Sequence, residues 1–166
     1  QAAEFIHEHH PCVLKPLMGF GGVGVQLVDR PFDLDNIYDL LKIHSQTFGR
    51  GPYLVQEFIK SPGFDIRALV MDSDVIGSMQ RVSSGGLVTN IHSGGTPRAN
   101  DVDVEEIALR AARAVGGRLV GVDIIPDVTG SLWLLEANAT PGWAGLQTVT
   151  ERRVSDMIAE RLLCGV

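Results

Sequence analysis

Residues 121–142, GVDIIPDVTGSLWLLEANATPG, show the pattern of two short β-strands joined by a turn. Pro126, Asp127 and Gly130 are residue types that favour turns. In the second strand Glu136 and Asn138 are two positions apart, so their side chains leave the same face of the strand. Because an acidic residue also lies in the first strand, the sequence predicts that oxygen-bearing side chains from neighbouring strands converge.

The three converging side chains belong to Asp123, Glu136 and Asn138. They offer oxygen atoms, without sulfur or imidazole nitrogen, and this suits a hard cation such as Mg²⁺. The plainer alternative is a pair of surface strands with scattered polar residues. The flanking apolar runs IIP and LWLL disfavour it, because a charge within such a run needs a partner. We therefore predict a metal site here.

Composition limits the classes of protein to which the chain can belong. With 166 residues, 45% of them hydrophobic, the chain is long enough to bury a substantial core. The net charge of −6 makes nucleic acid an unexpected partner. Cys12 and Cys164 form no CxxC pair, and no stretch predicts a membrane span or a signal peptide. We expect free thiols and a cytoplasmic protein without a membrane partner.

A glycine-rich segment, GFGGVG at residues 19–24, follows one β-like run and precedes another. It therefore predicts a hairpin tip, whereas a dinucleotide-binding turn would open a helix, and it lacks the G-K-[ST] of a Walker A loop. Without side chains, the amides of Gly21 and Gly22 could approach phosphate oxygens closely. Lys15 would add positive charge. The alternative is a flexible surface hairpin.

Further candidate residues lie in the middle of the chain. Residues 56–59, QEFI, end a predicted strand and could offer backbone groups to a base edge, or they form a buried strand end. Asp65 and Arg67 share a strand face, and Arg81 lies on the next strand of a predicted hairpin. Two arginines could stabilise developing phosphoryl charge, or they could belong to an exposed, salt-bridged hairpin. Asn90 lies in a polar loop suited to a second substrate.

Taken in order, these pieces resemble the ATP-grasp superfamily, and within it the RimK-type amino-acid ligases. The matching segments cover residues 12 to about 146: VLKPLMGFGGVGV, LVQEFI, GFDIRALVM, MQRVS, TNIHSGG, GVDIIP and LLEANATPGWAGL. The resemblance implies an α+β protein with an ATP-grasp fold. It would have a partial lid subdomain at residues 1–55 and an antiparallel-sheet C-terminal subdomain with flanking helices at residues 56–166, with the ATP and metal sites between them.

The resemblance also implies roles for single residues. The nucleotide-binding group is Lys15, Gly21, Gly22, Gln56, Glu57, Phe58, Ile59 and Asp65. In it, Lys15 would hold the ATP phosphates beneath the glycine-rich loop, residues 56–59 would contact adenine, and Asp65 would contact ribose. The catalytic group is Arg67, Arg81 and Asn90, with the arginines near the γ-phosphate and the acyl phosphate. The metal group is Asp123, Glu136 and Asn138, which commonly holds two Mg²⁺ ions, with Mn²⁺ as the alternative.

The activity implied by the resemblance is ATP-dependent amide formation through an acyl phosphate, with release of ADP and phosphate. The expected substrates are a small-molecule or peptide carboxylate and an amino-acid amine such as glutamate. Two alternatives stay open, namely a non-catalytic ATP-binding module and a phosphotransferase that performs no ligation. An intact acidic triad favours a working Mg²⁺–ATP site over a degenerate one.

Departures from the family pattern concern the substrate and the extent of the chain. Residues 88–90 read Val-Thr-Asn, where RimK-type ligases carry Arg-Ser-Asn or Arg-Thr-Asn, so an acidic substrate would be held differently. Residues 141–147, PGWAGLQ, resemble the glutamate ligases of tetrahydromethanopterin-like cofactors. Family members also carry an N-terminal substrate domain, so the resemblance implies that this chain is part of a longer enzyme. A homo-oligomeric assembly stays open.

Overall fold

The structure is a computed structural model, and it describes residues 2–17, 21–29, 34–49, 52–83 and 95–164. Its contacts divide the chain into two compact units, Gln1–Ile59 (unit 1) and Lys60–Val166 (unit 2). The boundary predicted between residues 55 and 56 would cut a strand, because Gln56 and Glu57 still pair with the N-terminal part of the chain. The units therefore divide after Ile59.

The described part of unit 1 contains helices and a three-stranded antiparallel sheet with the strand order β2-β1-β3. Its elements are α1 (Ala2–His9), β1 (Cys12–Pro16), β2 (Gln26–Val28), α2 (Leu34–Phe48) and β3 (Tyr53–Glu57). Apolar residues at helical spacing in α2, such as Ile37 and Leu41, face the sheet. The buried core of unit 1 consists of Ala3, Ile6, Leu14, Val28 and Ile37.

Unit 2 is built on a five-stranded antiparallel sheet with the strand order β6-β5-β4-β7-β8. Its strands are β4 (Phe64–Met71), β5 (Asp74–Val82), β6 (Thr96–Ala99), β7 (Leu119–Pro126) and β8 (Leu132–Asn138). Its helices are α3 (Glu105–Val115), α4 (Ala144–Gln147) and α5 (Val154–Cys164). The described residues therefore form α+β units with antiparallel sheets and flanking helices, as expected.

The two faces of the five-stranded sheet carry different clusters, because side chains alternate along each strand. One face packs against α3 through Ile66, Ala68, Val70, Val120, Val122 and Ile124. On the other face Leu69, Met71 and Met79 pack against Leu146 of α4 and against Val154 and Ile158 of α5. Asp65 and Arg67 share that second face with Leu69 and Met71. Their charges therefore lie beyond the edge of an apolar cluster.

The sequence also predicts a capping box formed by Asp103 and Glu106 and a final helix over residues 150–163, and the structure differs from both expectations. Asp103 and Glu106 have capping-box spacing, but Val104 is the N-cap of α3, and Asp103 accepts the Glu105 backbone N–H at 3.1 Å. The last helix begins at Val154 instead of near residue 150, because the short helix α4 and a turn precede it. The segment LVTNI at residues 87–91 has a strand-like pattern, but it lies outside the described residues. No helix in the described part of the chain is long and apolar enough to cross a membrane.

Candidate functional site

The register of unit 2 places the predicted side chains beside one another. Arg67 of β4 lies opposite Asp123 of β7, and Asp65 lies opposite Arg81 of β5. Asp123 in turn lies opposite Glu136 of β8, with Gly121 opposite Asn138 one step along the same face. Because residues directly opposite one another in an antiparallel sheet point to the same side, these residues share one face. The two predicted catalytic arginines and the predicted metal ligands therefore lie on this face.

A buried network of ion pairs joins four of these side chains. Arg67 donates from Nε and Nη2 to both oxygens of Asp123, with an Nη2–Oδ2 distance of 2.8 Å. Arg81 donates from Nε to Oδ1 of Asp65 at 2.7 Å and from Nη2 to Oδ2. The same Nη2 lies 2.8 Å from Oδ2 of Asp123. Arg81 therefore links the two carboxylates across three strands.

All four side chains of this network are buried. The exposed fractions are 2% for Asp65, 8% for Arg67 and 4% for both Arg81 and Asp123. Burial opposes the ionisation of Asp123, but hydrogen bonds and charge from Arg67 and Arg81 outweigh it and lower its pKa. Burial also opposes the charge on Arg81, yet its two carboxylate partners raise the pKa of Arg81. The ionised forms of Asp123 and Arg81 are therefore favoured in the folded protein, because oppositely charged partners offset the cost of their burial.

The predicted metal ligands fit a hard cation in their chemistry. Glu136 is exposed beside Asp123, and Asn138 is half-buried with Oδ1 accepting the Thr140 N–H at 2.8 Å. Among the described residues no group of three or more His, Cys, Asp or Glu could hold a metal ion. The predicted set is not a group of that kind, because it contains two carboxylates and one amide. Carboxylate and amide oxygens each have several acceptor positions, so the bonds to Arg67, Arg81 and Thr140 leave capacity for a metal.

A β-bulge on β8 separates the polar side chains from apolar ones. Asp123 pairs with Glu136, but the next residue, Ile124, pairs with Leu134, so Leu135 is an extra residue on β8. The bulge leaves Glu136 on the face that carries the ion pairs, which we call the charged face. Leu134 lies on the opposite face, beside Ile107 of α3. Bulges re-aim side chains in this way and are common near functional sites. Alternation alone could not have located this one.

Gly121 is a second feature that the sequence analysis missed. A Cβ atom at this position would lie 2.7 Å from Cβ of Pro141 and 3.2 Å from Nη1 of Arg67. The missing side chain therefore lets the Arg67 guanidinium and the segment after β8 approach the backbone of β7. A glycine within a strand is the available signal, because it often marks such a close approach.

In unit 1 the predicted nucleotide-binding residues lie on two neighbouring strands and their connections. Lys15 is half-buried near the end of β1. Gly21 and Gly22 follow it with φ values of +68° and +79°, which glycine adopts without strain. The Val25 N–H donates to the Gly22 carbonyl at 3.2 Å. Because β1 and β2 are antiparallel partners, the glycine-rich segment connects a hairpin, as its flanking β-like runs predict.

Residues 56–59 lie at the end of β3. Gln56 and Glu57 pair with Val13 and Cys12 of β1, and the Phe58 N–H donates to the Pro11 carbonyl at 2.9 Å. Phe58 and Ile59 are half-buried and follow the strand. Asn90, the remaining predicted catalytic residue, lies outside the described residues. Apart from Asn90, the structure thus brings together the predicted groups of unit 2. In unit 1, Gly21 and Gly22 follow the end of β1 that carries Lys15, whereas residues 56–59 lie beside the start of β1.

Comparison with known proteins gives a family and several relatives. A family model described as the RimK-like ATP-grasp domain matches residues 1–162. A tetrahydromethanopterin:alpha-L-glutamate ligase of Methanocaldococcus jannaschii is 32% identical over 168 residues, covering 98% of this chain and 57% of the relative. A probable alpha-L-glutamate ligase of Pseudomonas putida is 35% identical over 156 residues, covering 92% of this chain and 50% of the relative. The chain thus spans about half the length of the curated relatives that it matches.

Solved structures agree on the fold. The ATP-grasp ligase PsnB, complexed with a minimal precursor, Mg and ADP, has a TM-score of 0.70 at 23% identity, covering 98% of this chain and 48% of its own. A RimK domain ATP-grasp protein of Sphaerobacter thermophilus has a TM-score of 0.64 at 22% identity, covering 96% of this chain and 55% of its own. At these identities the likeness shows the fold, and it confirms the ATP-grasp expectation.

Proposed function

This chain belongs to the RimK-like ATP-grasp family, and from that premise we propose that the protein is an ATP-dependent carboxylate–amine ligase. A carboxylate oxygen of one substrate would attack the γ-phosphorus of ATP, releasing ADP and forming an acyl phosphate. The amine of the second substrate would then attack the acyl carbon, and phosphate would leave as the amide forms. The observation that carries the proposal is the buried network of Asp65, Arg67, Arg81 and Asp123 beside Glu136 and Asn138.

The arginines suit a reaction in which phosphoryl charge develops. Arg67 and Arg81 are held by buried carboxylates, so little reorganisation is needed when the charge forms. Asp123, Glu136 and Asn138 would hold Mg²⁺, with Mn²⁺ as the alternative. A bound Mg²⁺ would neutralise charge on the ATP phosphates and orient them. Mg and ADP are bound in the related ligase PsnB, which supports the same cofactors here.

The remaining groups would bind the nucleotide. Lys15 and the amides of Gly21 and Gly22 would contact the phosphates, and residues 56–59 would contact adenine. The ribose contact predicted for Asp65 would have to use the acceptor positions that Arg81 leaves, because both of its oxygens already accept from that guanidinium. Asn90 would meet the second substrate.

The amine substrate that we propose is glutamate or a similar amino acid. The support is that relatives at 32% and 35% identity are named alpha-L-glutamate ligases. The carboxylate is proposed only by class, as a small molecule or a peptide. Cytoplasmic location, homo-oligomeric assembly and the absence of a nucleic-acid partner stay predictions from the sequence.

The test is ADP release by the full-length protein with Mg²⁺–ATP and a panel of acid–amine pairs, followed by mass analysis of the products. The ligase predicts release that needs both substrates and a product mass equal to an amide. Release with the acid alone and a stable phosphorylated product would favour a phosphotransferase. ATP binding without turnover across the panel would favour a non-catalytic module.

A further inference from the structure

A buried histidine contacts the end of the glycine-rich segment. His44 lies in α2, is 2% exposed and has Nε2 at 2.7 Å from the carbonyl oxygen of Gly24. A carbonyl oxygen can only accept, so Nε2 carries the hydrogen and donates it. The ring of His44 is held between Phe48 and Tyr53, with ring centroids at 4.8 Å and 5.1 Å. Its orientation is therefore set by packing as well as by the hydrogen bond.

Gly24 is enclosed by the same elements. Its φ is +78°, and a Cβ atom there would lie 2.8 Å from Cγ of Pro16 and 3.2 Å from the ring of Phe48. No side chain fits between β1 and α2 at this point. Pro16 and Phe48 thus leave no room for a side chain at Gly24, and the Gly24 carbonyl accepts a hydrogen bond from His44. This end of the segment is attached to the core of unit 1.

His44 is a polar side chain at a buried position, where an apolar one would be expected. Among the described residues its Nδ1 has no hydrogen-bond partner, although the atom is buried. A buried acceptor without a partner costs free energy, and an apolar ring of similar shape would fill the site without that cost. The feature that an apolar ring could not supply is the donor to Gly24.

We infer that His44 is a positioning residue that anchors the glycine-rich segment and so directs the amides of Gly21 and Gly22 toward nucleotide phosphates. The inference rests on the proposed function, because it assigns those amides to ATP. Fixing a backbone in its binding conformation before the ligand arrives lowers the entropy lost on binding. His44 itself touches neither ATP nor substrate and acts through Gly24.

Variants of the full-length protein separate this role from simple packing. His44→Phe keeps the ring volume and removes the donor, and His44→Gln returns an amide donor at a similar reach. Ile37→Val is the matched control, since it removes a methyl group from the same helix and core. Should His44→Phe not fold, His44→Leu replaces it as the apolar variant.

The first readout is deuterium uptake of the described segment 21–29 without nucleotide. We expect uptake about tenfold faster in His44→Phe than in wild type, as for the loss of one hydrogen bond. His44→Gln should restore slow uptake, and Ile37→Val should leave it unchanged. Equal uptake in wild type and His44→Phe would overturn the anchor, whatever the enzyme does with ATP.

The second readout is steady-state ADP formation. We expect the KM for ATP to rise about tenfold in His44→Phe while kcat stays within about twofold, with rescue in His44→Gln. Faster uptake with an unchanged KM, or the same KM rise in Ile37→Val, would overturn the positioning role. If wild type neither bound ATP nor formed ADP, the proposed function would fail, and because the inference assigns these amides to ATP it would fall too. The uptake data would then describe only a packing contact.

Discussion

The two units present their candidate binding groups by different means. In unit 2 the groups are charged side chains, and buried ion pairs across β4, β5 and β7 hold them in place. In unit 1 they are largely backbone amides of a glycine-rich segment, bonded at one end to His44. We therefore expect a substitution in unit 2 to affect stability and catalysis together. A substitution near the segment in unit 1 should mainly affect nucleotide binding.

The largest effect should follow from removal of the arginine that joins the two carboxylates. Arg81→Ala leaves Asp65 buried without its guanidinium partner, so we expect a loss of about 3–5 kcal/mol in the free energy of unfolding. Urea denaturation would measure it. Arg118→Ala is the control, because its pair with Asp72 is exposed and its loss should change the free energy of unfolding far less. Similar losses in both variants would contradict the importance of burial.

A smaller effect should come from filling the space beside Arg67. Gly121→Ala places a methyl group against Pro141 and the Arg67 guanidinium, and we expect a loss of about 1–3 kcal/mol together with lower kcat. Gly142→Ala is the matched control, with open space around the position and an expected change within about 0.5 kcal/mol. A Gly121→Ala protein with wild-type stability and kcat would show that Arg67 does not depend on this contact.

The pH dependence of stability should reveal the lowered pKa of Asp123. The unfolded chain binds a proton at this residue at a higher pH than the folded protein does, so stability rises with pH in that interval. The contribution is complete above the unfolded pKa of about 3.9 and is lost as the pH falls through the lower folded value. We expect Asp123→Asn to weaken this acid dependence. Identical slopes of unfolding free energy against pH in both proteins would be evidence against it.

The smallest effect should be a change in nucleotide preference. Asp65 is predicted to contact ribose in addition to its bond with Arg81. If it does, Asp65→Asn should lower the ratio of kcat/KM for ATP to kcat/KM for 2′-deoxy-ATP by a few-fold, about the value of one hydrogen bond. The ratio of kcat/KM for the two nucleotides measures this apart from any loss of stability. An unchanged ratio with reduced kcat would mean that Asp65 acts only through Arg81.

Residue spacing predicts the charged face of unit 2 well. Asp65 with Arg67, and Glu136 with Asn138, are each two positions apart on a strand, and alternation alone places each pair on one face. The hairpin of β4 and β5 follows from the apolar runs around its turn. These features depend on neighbours in sequence, which is why they could be recognised without a structure.

Features that depend on packing between distant elements could not be predicted. The bulge at Leu135 depends on how β8 pairs with β7. The role of Gly121 depends on Pro141 and Arg67, which are both far from it in sequence. His44 looks like an ordinary residue on the apolar side of α2. Its bond to Gly24 spans 20 residues and becomes visible only when α2 packs beside the hairpin.

In the proposed reaction an acyl phosphate links ATP cleavage to amide formation. The most direct measurement supplies the full-length protein with ATP, glutamate and an acid substrate whose carboxylate oxygens carry a heavy isotope, and then determines the mass of the released phosphate. If an acyl phosphate forms, one labelled oxygen passes from the carboxylate to phosphate for each amide formed. Amide formation with unlabelled phosphate would contradict it.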